Sequence, residues 1–180
     1  MSLHTVRWAE VPEQPWRNGG GRTRELLTWP APGGWRLRVS VADIERDGPF
    51  SPFPGVHRSF QVLSGAGVRL GGMDTPLTPD SPPHAFDGAQ APDCTLLAGP
   101  TRDLNLMVAG GRGRLWPAAQ PWLAGPGWRG LYTTEATTLR AGAQALALPP
   151  HTLAWSDDAP GAWQIDPPAR AWWLTLEDTP

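Results

Sequence analysis

Residues 35–42 alternate strictly. Trp35, Leu37, Val39 and Val41 are apolar, and Arg36, Arg38 and Ser40 fall between them. A two-residue period is the mark of a strand with one buried face. Shorter apolar or alternating runs follow at residues 59–63, 67–70, 95–98 and 104–109 in the first half, and at 130–134, 144–148, 152–155, 163–165 and 172–176 in the second. Turn-forming clusters such as Asp47-Gly48-Pro49, Ser64-Gly65 and Asp157-Asp158 separate them. With 21 Gly and 22 Pro in 180 residues, few windows are long enough for a helix. The prediction is an all-β protein of many short strands closed into a sandwich or barrel.

A faint repeat refines this picture. Pro82-Pro83-His84 recurs as Pro149-Pro150-His151, and Pro100-Thr101-Arg102 as Pro168-Ala169-Arg170, at nearly the same offset. An apolar strand follows each of the latter pair. The repeat predicts two tandem small β-barrels, over residues 1–111 and 112–180, with the Gly- and Pro-rich stretch 112–126 as their link. The halves differ chemically. The first carries Asn18, Arg22, Arg24, Arg38, Ser40, His57, Arg58 and Asn105. In the second the position matching Asn105 is Trp173, and most of the 11 Trp residues lie there. The first barrel is therefore expected to hold a polar ligand, and the second to be filled by aromatic rings.

Charge and cysteine content narrow the function classes. Fifteen basic residues, all Arg, stand against 17 acidic ones, for a net charge of −2. That balance lacks the basic footprint of a nucleic-acid or membrane-surface binder. The single cysteine, Cys94, lies in an apolar run and reads as a core thiol. Without a disulfide framework, and without a leader-like pattern in residues 1–10, the expected compartment is the reducing cytoplasm. The four histidines, at 4, 57, 84 and 151, are isolated, and no His-x-His pair is present. No metal centre, cofactor or catalytic residue is predicted.

Three stretches carry candidate chemistry. Trp16-Arg17-Asn18-Gly19-Gly20-Gly21-Arg22-Thr23-Arg24-Glu25 holds three consecutive glycines, suited either to a bulge or turn opening a strand or to an anion-binding nest. It is neither a Walker loop nor a dinucleotide fingerprint. The rigid segment from Asp47 to Gly55 delivers His57 and Arg58 to the start of a strand. In Arg102-Asp103-Leu104-Asn105-Leu106-Met107, the residues Asp103, Asn105 and Met107 alternate with leucines, and one of the two faces points into a barrel; an Asn105 amide buried there must be satisfied or bind something.

Together these stretches resemble the HutD/Ves family. The resemblance rests on Trp16-Arg17-Asn18-Gly19-Gly20-Gly21-x-Thr23-x-Glu25, Arg38-x-Ser40-x-Ala42-x-Ile44, Gly48-Pro49-Phe50-Ser51-x-Phe53-Pro54-Gly55, Arg58 and Arg102-Asp103-x-Asn105-Leu106-Met107. It implies a bicupin fold and a regulatory role in bacterial histidine utilisation, with a small anion such as formylglutamate, urocanate or formate as ligand. Carried onto this sequence, the implied pocket is Asn18, Gly20, Arg38, Ser40, Arg58 and Asn105, with His57 adjacent. A homodimer is compatible with it. Two rival readings remain open here. One is a metal-independent isomerase or hydrolase using His57 as acid or base. The other is an interaction module presenting Trp116, Trp122 and Trp128.

Overall fold

A computed structural model describes residues 2–30, 33–158 and 161–177, without the side chain of Ala124. Among them no α-helix occurs; apart from two 3-10 turns, Trp8–Glu10 and Gly88–Gln90, the regular structure is strand. Among the described residues no helix is long and apolar enough to cross a membrane. The chain divides into two compact units.

The unit built on residues 12–113 contains a six-stranded sheet. Its order is Gln14–Pro15, Gly21–Trp29, Leu37–Ile44, Thr101–Ala109, Val56–Ser64 and His84–Asp87, every pairing antiparallel. A second sheet joins Gly48–Pro49, Asp93–Leu96 and Val68–Leu70. The alternation read at residues 35–42 is borne out from Leu37 onward. Leu37, Val39 and Val41 are fully buried on one face, and Arg38 and Ser40 lie on the other. That second face looks into the barrel. It joins an apolar floor of Ile44, Phe50, Phe60, Val62, Val68, Leu70, Leu77, Phe86 and Cys94. Burial of Cys94, reinforced by the charges of Asp103 and Asp47, pushes its thiol up to about 12, so it stays protonated as a core residue.

The other unit comprises residues 2–11 and 114–176. Its five-stranded sheet runs His4–Arg7, Thr152–Ser156, Arg129–Thr133, Ala171–Glu177, Arg112–Pro117, and its four-stranded sheet Trp122–Ala124, Gly161–Asp166, Thr137–Ala141, Gln144–Leu148. Two expectations change here. Residues 2–11 do not cluster with the first barrel, because His4–Arg7 pairs with Thr152–Ser156. The stretch 112–126 is not a plain linker, since it holds two strands. In Arg112–Pro117 the buried members of the alternation are Gly113 and Leu115, and a glycine on the inner face hides the period from a hydropathy reading.

The repeat is real in topology. Leu37–Ile44, Thr101–Ala109, Val56–Ser64 and His84–Asp87 stand in one unit in the order that Arg112–Pro117, Ala171–Glu177, Arg129–Thr133 and Thr152–Ser156 take in the other. Register makes it residue-specific. Met107 faces Arg58 and Asn105 faces Phe60, as Thr175 faces Arg129 and Trp173 faces Leu131. Asn105 and Trp173 are thus counterparts, as the offset predicted. The two histidines are not. His84 faces Phe60, whose counterpart Leu131 faces Ala154, three residues beyond His151.

The second barrel is filled as expected. Trp163 and Trp173, at most 1% exposed, sit among Leu131, Leu139, Ala141, Leu148, Ala154 and Ala171. Trp116 and Trp122 pack against that cluster, and Trp128 is buried. Of the tryptophans offered as an exposed docking flank, Trp128 is therefore a core residue, and Trp116 and Trp122 are half-buried against the core.

Candidate functional site: a guanidinium at the base of a barrel cavity

A cavity of about 380 Å³ opens inside the barrel of residues 12–113. Three pieces of chain build it. The inner face of the sheet contributes Arg38, Ser40 and Ala42 from one strand, Asn105 and Met107 from the next, and Arg58 from the third. The loop around Pro49–Phe53 forms one wall, and Gln14–Asn18 with Thr23 forms the mouth. Adjacent-strand register brings the polar groups to two successive levels: Ser40 faces Asn105, and Met107 faces both Arg38 and Arg58.

Arg58 dominates the chemistry. It is 5% exposed. Its guanidinium carbon lies 5.0 Å from the Phe50 ring centre, 4.9 Å from Phe86 and 5.8 Å from Phe53. These rings hold the plane by cation–π attraction and exclude water. Of its five N–H donors, one is bonded among the described residues: Nη2 donates to Asn105 Oδ1 at 2.9 Å. Nε is buried without a partner. No carboxylate forms an ion pair with Arg58 among the described residues. Desolvation, only partly offset by Asp103, lowers its pKa to about 10, so it remains charged at neutral pH.

Asn105 passes the contact on, its Nδ2 donating to Asp103 Oδ1. Asp103 is 1% exposed. Desolvation first, and repulsion from Asp43 after Arg58's opposing pull, push its carboxyl well above the ordinary carboxylate range. Arg38 differs from Arg58: its Nε lies 2.8 Å from Glu25 Oε2, so its charge is already matched. Of the two arginines suited to clamp an anion, Arg58 is the one with no carboxylate in direct contact among the described residues.

The glycine run is a turn rather than a nest. Gly19 adopts φ +68°. The Gly19 N–H donates to Trp16 O at 3.0 Å, and Gly20 N–H donates to Asn18 Oδ1 at 2.9 Å. Gly20 O accepts from Glu45 N and Arg46 N. A Cβ on Gly21 would come within 2.3 Å of Asp43 O, so only glycine fits there. Gly20 therefore builds the mouth without lining it, contrary to the expected pocket. The turn does place Asn18, Arg17 and Thr23 on the cavity, and Trp16 Nε1 ties down Thr23 Oγ1 at 2.7 Å.

His57 is also outside the site. Consecutive residues of a strand point to opposite faces, so a strand that turns Arg58 inward turns His57 outward. There its Nδ1 accepts from Gly113 N at 3.3 Å. Desolvation and Arg112 lower its pKa, keeping it neutral. Of the expected pocket, the structure thus brings Asn18, Arg38, Ser40, Arg58 and Asn105 onto one cavity, and leaves Gly20 and His57 off its lining. Sequence reasoning passed over Asp103 as a site residue, although Asp103 shares a face with Asn105, and the Phe50, Phe53 and Phe86 cage, which comes from a loop and a short edge strand. No group of three or more His, Cys, Asp or Glu side chains suited to hold a metal occurs among the described residues.

Fold and site together define a bicupin with one polar, cation-based cavity. Solved structures under 10% identical share only the fold, among them a nickel-bound bacterial pirin from Escherichia coli (TM-score 0.67, 9% identity, covering 99% of this chain and 100% of that one). Residues 8–157 match the HutD family model, and the chain belongs to the HutD family. It is 40% identical over 144 residues to an uncharacterised 21.2 kDa protein in the hutC 3′ region of Pseudomonas putida, covering 76% of this chain and 72% of that one. It is 38% identical over 103 residues to protein Ves of Citrobacter koseri; the match takes in 55% of this chain and 54% of that relative, about half its length. HutD from Pseudomonas fluorescens SBW25, determined in a formate condition, superposes with a TM-score of 0.84 at 26% identity, covering 99% of this chain and 100% of that one.

Proposed function

We propose that this chain binds a small carboxylate in the cavity of residues 12–113 and serves as a cytoplasmic sensor or sequestering protein that tunes histidine catabolism. Formylglutamate, urocanate and formate are the candidate ligands. One observation carries the reading: Arg58 is a buried, charged guanidinium facing a cavity, with unused donors and no carboxylate ion pair. A buried cation with no carboxylate in direct contact is costly, and an incoming carboxylate lowers that cost while gaining charge-assisted hydrogen bonds. The amides of Asn18 and Asn105 and the Ser40 hydroxyl fix its orientation between apolar walls. The hutC-region name of the P. putida relative and the formate condition of the P. fluorescens structure support the pathway and the ligand class. A catalytic reading is not favoured, because the histidine that motivates it points away from the cavity.

Calorimetric titration of the three carboxylates into the full chain tests this. At least one is expected to bind, and Arg58→Met is expected to weaken that binding by about 30-fold or more. Silence from all three at millimolar concentration overturns the pathway assignment.

A further inference from the structure

The buried carboxyl behind the cavity has no part in holding a ligand, yet it is wired to the residue that does. Arg58, Asn105 and Asp103 form one hydrogen-bonded chain leading inward from the cavity: Arg58 Nη2 to Asn105 Oδ1, then Asn105 Nδ2 to Asp103 Oδ1. Asn105 lines the cavity and Asp103 does not. We propose that Asp103 is a positioning residue that couples anion capture to proton uptake: an anion arriving at Arg58 takes over the guanidinium's charge, and Asp103 accepts a proton from solvent in exchange. The inference rests on the carboxylate-binding reading above.

The balance is simple. Above its raised titration range Asp103 is ionised before capture, and one buried cation then faces one buried carboxylate through an amide. Addition of an anion alone would leave the water-poor chamber with net negative charge, which a low-dielectric site resists. Addition of one anion and one proton leaves the buried charge unchanged. No bond other than the O–H of Asp103 forms.

The surroundings leave Asp103 as the group that responds. From the strand Val56–Ser64 it meets Arg58. From Leu37–Ile44 it feels Asp43, which is held by Arg102 at 2.7 and 3.1 Å, and Arg38 on that strand is matched by Glu25. From Asp93–Leu96 it faces the Cys94 thiol, neutral at any moderate pH. Asp47, on the turn before Gly48–Pro49, acts on the same thiol and accepts from Leu96 N at 2.8 Å. Burial already raises Asp103, and a bound anion raises it further by adding negative charge and occupying Arg58. Between those two positions, capture consumes up to about one proton and affinity falls up to about tenfold per pH unit; below both, affinity is flat and highest.

The test uses formate as probe and the full chain. Formate stays ionised from about pH 6 to about pH 9. Calorimetric titrations across that range, each in phosphate and in Tris, read the protons exchanged from the difference in heat. Wild type is expected to take up protons in at least part of the range, with affinity dropping as pH rises. Asp103→Asn, which keeps the shape and cannot titrate, is expected to bind formate with equal heats in both buffers and a flat pH profile. Formate binding with identical heats in both buffers at every pH overturns the inference and leaves the ligand reading intact. Uptake that persists in Asp103→Asn overturns it as well, by assigning the proton to another group. Absence of formate binding throughout defeats the formate-binding premise, and this inference with it.

Discussion

The two barrels place an arginine at the same point of the same strand order and treat it in opposite ways. Arg58 and Arg129 occupy equivalent positions, opposite Met107 and Thr175. Each lies over aromatic rings: Phe50, Phe53 and Phe86 for the first, Trp122 at 5.3 Å and Trp163 at 5.5 Å for the second. The difference lies in the hydrogen bonds. Arg129 donates Nη1 to Gly161 O at 2.9 Å and Nη2 to Gly125 O. Where Arg58 has Asn105 and Asp103 along the neighbouring strand, Arg129 has Trp173 and Ala171. The Nε of each arginine is buried without a hydrogen-bond partner among the described residues. The second barrel meets both terminal nitrogens of its arginine with its own carbonyls and fills the space with indole. The first bonds one terminal nitrogen of its arginine, to an amide, and keeps the space open. A buried guanidinium is therefore not by itself a sign of a site; donors left unmet beside a cavity are.

Swapping the features of the two barrels breaks or sharpens this contrast. The largest effect is expected from the arginines. Arg58→Met should weaken carboxylate binding by about 30-fold or more, the equivalent of about 2 kcal/mol from a lost buried charge contact. Arg129→Met should leave binding unchanged and instead lower stability by roughly 2 kcal/mol or more, since it orphans two carbonyls. Calorimetry and urea unfolding of both variants separate the roles; equal binding losses would contradict the contrast. Next, Asn105→Trp imports the second barrel's solution into the first. It should reduce binding by at least about tenfold while the chain stays folded, checked by circular dichroism beside calorimetry.

A smaller effect is expected in stability against pH. Asp103 holds its proton more tightly in the folded than in the unfolded chain. Its contribution is then full below about pH 3.9, the usual aspartate value, and is lost as pH climbs through its raised folded value. Urea midpoints of wild type should fall over that window relative to Asp103→Asn; parallel curves would remove Asp103 from the account. Smaller again, Arg17→Ala at the exposed mouth should slow association about two- to fivefold at low salt and leave it unchanged at high salt, by stopped-flow. Least of all, His57→Ala should leave affinity within about twofold, as befits a side chain on the opposite face.

Much of this was legible in the sequence because strands encode burial in a two-residue period. That period put Arg38 and Ser40 on one face and Asp103, Asn105 and Met107 on another, while which face looks into the barrel came from the family resemblance and not from the period. The 68-residue offset correctly paired Asn105 with Trp173. What misled was adjacency. His57 and Arg58 are neighbours along the chain, and for that reason they face apart in space. Gly20 sits at the centre of a distinctive motif, but its backbone groups are spent on the turn that shapes the cavity mouth. Pairing across the chain was invisible: nothing in residues 4–7 announces Thr152–Ser156 as their partner. The matching of Arg38 by Glu25 is likewise a product of register, and it is what singles out Arg58.

The central claim is tested most directly by a crystal structure of the chain grown with the tightest-binding of the three carboxylates. The account predicts the carboxylate inside the barrel of residues 12–113, with an oxygen at about 2.7–2.9 Å from the Arg58 guanidinium and the Phe50, Phe53 and Phe86 cage intact. A ligand bound anywhere else, with Arg58 still touching only Asn105, would contradict it.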